Sequence, residues 1–285
     1  MADILNGQFC IVSDGAASRN AVRSYAWVLS SPSGQRALTG CGPVRGGRIS
    51  SYRAEAWGVL AAVRIIHDIT EYTMRTLPFE GHMACDNKAV VHQVHKFLPT
   101  KNTSTTPAMV NPAEVYLHPL SAEWDVLIEI YHTVRTTWLA TTIEHIKGHQ
   151  DDDKPVSQLS LLARLNIEAD QLASTHQRRH PEPAPRARLL RHTGVHLHLP
   201  TGTVTSRYDQ TLRQAYTAPL SISYLQERFS WTPAVFMTIH WDAHDKALRH
   251  QRSHHVHFTK LVYDILPTNR VQHQYFSVMS LLQCG

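Results

Sequence analysis

The chain has 285 residues, of which 42% are hydrophobic and 18% are charged. These values are ordinary for a globular protein, and the length predicts one domain with a second, smaller region. No apolar run approaches the roughly 20 residues that span a bilayer, and the N-terminus lacks the pattern of a signal peptide. We therefore expect a protein that is neither membrane-spanning nor secreted, with an intracellular location in the cytoplasm or the nucleus.

The charge is unevenly distributed along the chain. Residues 1–177 contain 15 basic and 17 acidic side chains, whereas residues 178–285 contain 13 basic and 6 acidic ones. The second region also holds 11 of the 20 histidines. Its net charge of +7 favours an anionic partner, nucleic acid first, although a solvated basic surface fits the composition equally well.

The cysteines indicate the redox environment. The four residues are far apart in sequence and form no C-x-x-C pair: Cys10, Cys41, Cys85 and Cys284. This spacing predicts reduced core thiols in an intracellular protein, not a disulfide framework.

The first half of the chain predicts four strands and two helices. Short apolar stretches between turn residues predict strands at QFCIVSDG (8–15), SYAWVLSS (24–31), RALTGCGPV (36–44) and GHMACDN (81–87). Apolar residues at helical spacing predict a helix over 50–70, with Ser50 or Ser51 as its N-cap, and another over 88–97.

The next segment begins with a Pro/Thr/Asn-rich insertion at 98–120. After it we predict a helix over 121–138, a strand over 141–149 and a helix over 159–177. The order β-β-β-α-β-α-α-β-α predicts an α/β protein with a mixed sheet and helices on its faces.

A Pro/Arg-rich linker at 178–193 is the clearest boundary in the sequence. It separates a domain at 8–177 from a basic, His-rich region at 194–285. In that region, residues 195–208 alternate like a hairpin, and helices are predicted over 211–229 and around 236–250. A further helix is predicted from residue 260 and ends at Pro267.

Four acidic residues stand out by their position in the predicted elements. Asp14 and Asp86 end strands, Glu55 lies near the start of the first helix, and Asp170 lies one turn after Asn166 in the last helix. Residues beyond the strand ends of an open α/β sheet gather in one crevice. Taken alone, Asp14 also fits a turn and Asp170 a surface charge, but four such positions together favour a common site.

Four carboxylates in one crevice would raise the pKa of one another unless a cation neutralised them. Hard oxygen donors of this kind suit Mg²⁺ or Mn²⁺. The acids therefore predict a divalent metal site.

The stretches SDGA, SSYRAEAWG, CDNKAVV and HIKGHQDD followed by LARLNIEADQLA resemble the ordered motifs of the type 1 ribonuclease H family. In particular, they resemble the ribonuclease H domain associated with the reverse transcriptase of non-LTR-type retroelements. The resemblance covers residues 9–177. It implies a ribonuclease H-like five-stranded mixed sheet flanked by helices, with the first three strands antiparallel, followed by a smaller, mainly helical C-terminal region.

The resemblance also implies an activity. It is metal-dependent endonucleolytic hydrolysis of the RNA strand of RNA–DNA hybrids with two Mg²⁺ ions, Mn²⁺ being the alternative. Asp14 would bridge the ions, Glu55 and Asp86 would hold one, and Asp170 the other. His149 would transfer a proton to or from the departing group.

The family uses the region of GRISSYRAE to touch the minor groove of the hybrid. The residues that the resemblance assigns to substrate binding are Ser50, Ser51, Tyr52, Arg53, Asn87, Lys88 and Asn166. Arg53 fits a structural salt bridge equally well. RNA would be distinguished through its 2′-OH groups and groove shape.

In HIKGHQDDD, residues 145–153, only His149 is assigned a role in the reaction. His145 is interpreted as structural, and the three aspartates as a solvated loop. The sequence after residue 225 resembles the region that follows ribonuclease H in some retroelement proteins, which leads into a Cys/His zinc segment. Cys284 would be only its first ligand, so the chain would end before a zinc knuckle, and no zinc site is predicted.

Two other functions remain open at this stage. One is a catalytically inactive, nucleic-acid-binding remnant of a retroelement polyprotein. The other is a different nuclease of the same superfamily, of the integrase or exonuclease kind, although those would lack the GH…N-x-x-x-D arrangement seen here.

Overall fold

The computed structural model describes residues 2–17, 23–46, 50–73, 79–98, 117–137, 139–181, 190–193, 197–200 and 202–241, together with 243 and 246. Contacts divide the chain into two compact units, Met1–Arg213 and Gln214–Gly285. The first unit contains a five-stranded sheet, and each unit is described separately below.

The strands of this sheet are β1 (Gln8–Ala17), β2 (Arg23–Ser30), β3 (Arg36–Pro43), β4 (Phe79–Cys85) and β5 (Leu139–His145). Its helices are α1 (Ala2–Leu5), α2 (Ser51–Thr73), α3 (Lys88–His95), α4 (Trp124–Thr136) and α5 (Leu161–Arg179). The strand order is β3-β2-β1-β4-β5. The β1–β2 and β2–β3 pairs are antiparallel, whereas β4 runs parallel to both β1 and β5.

The central strand β1 is buried on both faces, which explains its nearly continuous apolar sequence. Successive side chains point to opposite faces of a strand. Phe9 and Ile11 accordingly belong to the core cluster that contains residues of α2, α3 and α4. Cys10 and Val12 belong to a second cluster, packed against α5. Helices thus cover both faces, as the predicted α/β class requires.

The segment after α5 returns to the first unit. Leu190 packs against the cluster formed with α2 and α4, and the rings of His132 and His192 stack with centroids 4.1 Å apart. The short hairpin of β6 (Leu197–Leu199) and β7 (Gly202–Val204) follows. The backbone N–H of Glu123 then donates to the carbonyl of Thr205 at 2.7 Å. The predicted domain boundaries at 177/178 and 193/194 stay predictions.

The second unit is helical where it is described. Helix α6 (Tyr208–Phe229) begins in the first unit and contains Pro219, and α7 is a short helix (Pro233–Thr238). Thr232 caps α7 by accepting from the N–H of Val235. The helix predicted from residue 260 to Pro267 lies outside the described residues, as does Cys284. Among the described helices, none combines the length and apolarity of a membrane span.

Most predicted elements are confirmed within a few residues, and three differences have physical causes. Strand β1 continues past Asp14 to Ala17, because β2 still pairs with it there. Strand β5 ends at His145 rather than at residue 149, because its neighbour β4 ends at Cys85, directly opposite His145. Cys41 is exposed on β3 rather than buried, which corrects the expectation of a core thiol at that position.

Candidate active site

The predicted acidic residues come together at one edge of the sheet. Strand β4 ends opposite Ser13, so Asp14 is the first residue of β1 without a neighbour on β4. Side chains from both faces of the sheet can meet beyond this end. Glu55 shares a side-chain hydrogen bond with Asp14, and Asp86, directly after β4, shares another with Glu55. Asp170 of α5 is close enough to raise the pKa of both aspartates.

Glycine allows α2 to approach β1 closely at this point. A Cβ atom added to Gly15 would lie 2.4 Å from the backbone nitrogen of Glu55, nearer than real contacts allow. The Cβ added to Gly58 would lie 3.2 Å from the carbonyl oxygen of Asp14. The missing side chain at Gly15 therefore places the backbone of Glu55 directly against the strand that carries Asp14.

Crowding and burial shift the titration of these acids. Asp14 is 5% exposed and Glu55 6% exposed. Burial, followed by the charges of Asp86 and Asp170, raises the pKa of Asp14 to about 7. Burial, followed by the charges of Asp14 and Asp86, raises the pKa of Glu55 to about 10. Carboxyl groups with such pKa values are poised to bind a cation, which would remove the repulsion.

Asp86 and the loop after β5 are held together by several contacts. Burial raises the pKa of Asp86, while the nearby His149 lowers it. His145 Nε2 lies 3.0 Å from the carbonyl oxygen of Asp86, which supports its interpretation as structural. A Cβ atom on Gly148 would lie 2.7 Å from Asp86 Oδ2. His149 itself is exposed at the start of the following 3-10 turn.

Asp151, Asp152 and Asp153, which follow His149, are exposed, as interpreted from the sequence. Lys147 Nζ pairs with Asp153 Oδ2 at 2.9 Å, and both side chains are largely in solvent. Gln150 Nε2 donates to the carbonyl oxygen of Lys147 at 2.8 Å. These contacts close the loop on itself beside His149.

Cys85 is a member of the site that the sequence reasoning missed. Its thiol is fully buried and donates to Glu55 Oε2 at 3.6 Å. Donor atoms of Glu55, Cys85 and Asp86 lie within 4.8 Å of one another, so they form a group that could hold a metal ion. The only signal was its place directly before Asp86, where a strand's last side chain can enter the site.

Asn166 lies one turn before Asp170 on α5 and is 3% exposed. Its Oδ1 atom is buried and has no hydrogen-bond partner among the described residues. Ser174 Oγ donates to Asp170 Oδ1 at 3.4 Å. The predicted substrate contact of Asn166 stays a prediction.

Arg53 is a structural residue, which corrects its assignment to substrate binding. It is 1% exposed. Its guanidinium donates to Glu123 Oε2 at 2.7 Å, to both carboxylate oxygens of Asp125 at 2.8 and 2.7 Å, and to the carbonyl of Arg45 at 2.7 Å. These bonds tie the start of α2 to the start of α4 and leave the side chain no access to a ligand.

The residues next to Arg53 in sequence differ in how accessible their side chains are to a substrate. Ser50 Oγ accepts from the N–H of Arg53 and donates to Glu123, so it caps α2. Burial raises the pKa of Tyr52 to about 12, and its ring packs against the core. Ser51 is exposed on the first turn of α2.

At the other predicted contact, Asn87 caps α3. Its Oδ1 accepts from the N–H groups of Ala89 and Val90. Lys88 is exposed on the first turn. Ser51 and Lys88 are thus the predicted substrate residues whose side chains are most open to solvent.

Replacing Gly15 by Ala is expected to lower the free energy of unfolding by about 1–3 kcal/mol, the usual cost of overpacking. The new methyl group would push against the backbone of α2, which cannot yield as a flexible side chain would. Urea unfolding measures the effect, with Ala17→Ser at the exposed end of the same strand as the control. Equal stability of Gly15→Ala and the wild type would contradict the close approach.

Comparison with solved structures returns ribonuclease H proteins. RNase H1 from the halophilic archaeon Halobacterium salinarum NRC-1 is 18% identical, covering 61% of this chain and 99% of that chain, with a TM-score of 0.38. LC11-RNase H1, solved in complex with an RNA/DNA hybrid, is 14% identical over 61% and 99% of the two chains, with a TM-score of 0.41. The RNase H domain of the foamy virus PFV is 19% identical over 60% and 93%, with a TM-score of 0.39.

No protein-family model and no curated protein matches the sequence. At the identities above, the likeness concerns the fold alone. The predicted ribonuclease H-like fold is confirmed by the sheet of this chain, with its five strands, its first three antiparallel and helices on both faces.

Proposed function

We propose that the chain is a metal-dependent endonuclease that hydrolyses the RNA strand of RNA–DNA hybrids. One observation carries the proposal. Asp14 of β1, Glu55 of α2 and Asp86 at the end of β4 have raised pKa values at one edge of a ribonuclease H-like sheet, and the charge of Asp170 of α5 contributes to the shifts of both aspartates. Buried acids that repel one another lower the stability of the folded protein. A bound cation would balance their charge and remove this repulsion.

The donors fit Mg²⁺ or Mn²⁺. Asp14, Glu55, Asp86 and Asp170 offer carboxylate oxygens, the ligands that hard divalent cations prefer. Asp14 would contribute to holding both ions, Glu55 and Asp86 would hold one of them, and Asp170 would hold the other. When bound, such ions lower the pKa of an attacking water and stabilise charge on the leaving oxygen.

The protein's own groups orient the reaction and handle the proton. Cys85 donates to Glu55 and so fixes the direction of that carboxylate. His149 is exposed on a loop next to Asp86, and its charge lowers the pKa of that residue. An imidazole ordinarily titrates near neutral pH and is therefore suited to transfer a proton to or from the departing 3′ oxygen.

Hybrid binding rests on exposed residues around this edge. Ser51 and Lys88 stand at the first turns of α2 and α3, where they can reach a sugar or a phosphate. LC11-RNase H1 is solved in complex with an RNA/DNA hybrid, which supports this class of ligand. The basic region at 178–285 would add phosphate contacts that do not depend on sequence. We also propose that the protein derives from a retroelement and is located inside the cell.

A substrate panel tests the activity. Labelled RNA–DNA hybrid, duplex DNA and duplex RNA are incubated with the full chain in Mg²⁺, in Mn²⁺ and in chelator. We expect loss of the RNA strand of the hybrid only, and only with a divalent ion. Asp86→Asn, which keeps the shape of the side chain but removes its charge, serves as the inactive variant.

The same panel separates the alternatives. Hybrid binding without cleavage in either metal would reject the endonuclease and favour a non-catalytic nucleic-acid-binding protein. Cleavage of duplex DNA at the rate of the hybrid would favour another nuclease of the superfamily. Equal cleavage by Asp86→Asn and the wild type would show that the activity arises elsewhere.

A further inference from the structure

A second group of metal-ligand side chains lies on the surface of the first unit, where β2 separates it from Asp14: Cys41 pairs with Ala26, and Ala26 pairs with Asp14. Cys41 Sγ of β3 is 3.7 Å from His176 Nδ1 of α5. The rings of His176 and His180 are 4.5 Å apart, centroid to centroid. Cys41 and His180 are exposed, and His176 is half-buried. The proposed nuclease chemistry uses none of these three residues.

The fold itself produces this grouping. Cys41 pairs with Ala26 across the sheet, and Ala26 packs with Ala173 of α5. Neighbouring residues on paired strands share a face, so Cys41 faces α5 as well. His176 follows Ala173 by three residues, a spacing that stays on one side of a helix. His180 is the residue directly after α5, and its backbone N–H donates to the carbonyl of His176.

Small residues and one hydrogen bond bring this part of α5 close to the sheet. Ala16, Ala26 and Ala173 form the contact between helix and strands, and Ser24 Oγ donates to the carbonyl of Ala173 at 2.7 Å. The helix is therefore anchored one turn before His176. The position of His176 beside Cys41 follows from this anchored packing.

We propose that Cys41, His176 and His180 form a binding site for a thiophilic divalent cation of the zinc class, with water at the fourth position. A tetrahedral zinc ion with bonds of about 2.3 Å to sulfur and 2.0–2.1 Å to nitrogen separates the two ligand atoms by about 3.6 Å. The sulfur and nitrogen of Cys41 and His176 already have nearly this separation.

The third ligand requires one side-chain rotation. Among the described residues, the metal-ligand atoms of Glu55, Cys85 and Asp86 form the one group of three within 4.8 Å of one another. Each ring nitrogen of His180 is therefore farther than this from at least one of the other two ligand atoms, and His180 must turn its ring towards the ion. Its side chain is exposed, and the turn gives up only its contact with His176. Burial, then the charge of His180, lowers the pKa of His176, which favours the neutral imidazole that binds metal.

Cobalt binding tests the site, because Co²⁺ bound by a thiolate absorbs through sulfur-to-metal charge transfer. The full chain is titrated with Co²⁺ in a phosphine reductant, with excess Mg²⁺ to occupy the acidic site, and Zn²⁺ is then added. We expect one equivalent of Co²⁺ with the charge-transfer band, displaced by Zn²⁺. Cys41→Ser should abolish the band, and His176→Gln and His180→Gln should each weaken binding by at least about 10–100-fold, the loss that even an outer-shell partner causes.

Two matched variants locate the sulfur ligand. His95→Gln removes an exposed histidine of α3, and Glu55→Gln disables the acidic site beside Cys85; both should keep the band. A band that survives in Cys41→Ser, or that disappears in Glu55→Gln, would overturn the proposal. Wild-type affinity in His180→Gln would overturn it too, since a thiol–imidazole hydrogen bond alone would then explain the grouping.

This inference is independent of the proposed nuclease. Cys41→Ser is expected to cleave hybrids as the wild type does, because the residue lies outside the acidic site. A chain that fails to cleave any hybrid but binds Co²⁺ through Cys41 would reject the nuclease and support the surface site. The reverse result would reject the surface site alone.

Discussion

Replacing Glu55 by Gln is expected to remove hybrid cleavage while making the metal-free protein more stable. Loss of the carboxylate removes a ligand of the proposed ions, and we expect a rate lower by roughly 10³-fold or more, the scale seen when a group that stabilises developing charge is deleted. The amide is nearly isosteric with the protonated acid and can donate to Asp14 or Asp86. It therefore keeps the packing and removes the repulsion.

The sign of the stability change follows from the direction of the pKa shifts. In the unfolded chain, both carboxyls release their protons near pH 4. In the folded chain they keep them up to about pH 7 at Asp14 and about pH 10 at Glu55. The folded state thus binds more protons in this interval, and its stability is full below about pH 4 and falls as the pH rises through it.

Urea unfolding in chelator at several pH values measures this effect. The wild type should lose a few kcal/mol between about pH 4 and pH 8, and Glu55→Gln should lose less. Mg²⁺ should raise the stability of the wild type at pH 8, because an ion that binds only the folded state stabilises it by mass action. The gain should be smaller in Glu55→Gln.

The matched control is Glu71→Gln, an exposed acid near the C-terminal end of α2, the helix that carries Glu55 near its other end. It should follow the wild type in chelator and in Mg²⁺. A Glu55→Gln protein that is less stable than the wild type at pH 8 in chelator would show that the acids are not in repulsion. A Glu55→Gln protein that still cleaves at the wild-type rate would show that Glu55 holds no essential ion.

The acidic site was predictable because its signals are local. Asp14 and Asp86 each follow a short apolar stretch of sequence, and Glu55 lies near the start of a helix with clear apolar spacing. Strand order and direction then bring them together, since β4 ends opposite Ser13. Cys85 had no comparable signal, because a cysteine in an apolar strand is ordinarily a core residue.

Contacts between distant parts of the chain could not be predicted in the same way. The partners of Arg53 are 70 and 72 residues further along the chain, and no spacing rule links them. The return of Leu190 to the core of the first unit likewise depends on tertiary packing. The sequence showed only a Pro/Arg-rich boundary before it.

Replacing Arg53 by Met is expected to lower the free energy of unfolding by about 3–5 kcal/mol, the usual result of removing one partner from a buried ion pair. Glu123 and Asp125 are 1% and 6% exposed. Without the guanidinium, they would be two buried carboxylates with no cation to balance them. Arg53 lies two residues before Glu55, and its bonds from the first turn of α2 to Glu123 and Asp125 at the start of α4 would be lost.

An exposed ion pair supplies the control for this variant. Arg36 pairs with Glu168, and 60% of the Arg36 side chain is exposed. Arg36→Met should therefore cost no more than about 1 kcal/mol. Adding Glu123→Gln and Asp125→Asn to Arg53→Met should recover part of the lost stability, since neutral amides cost less to bury than charges.

The two assignments of Arg53 give opposite results in these measurements. If Arg53 contacted a phosphate of the hybrid, Arg53→Met would keep the wild-type stability, weaken hybrid binding and reduce its salt dependence by about one counterion. Burial between Glu123 and Asp125 predicts the reverse, a large loss of stability and an unchanged salt slope in whatever protein stays folded. A stability loss no greater than that of Arg36→Met would reject the structural assignment.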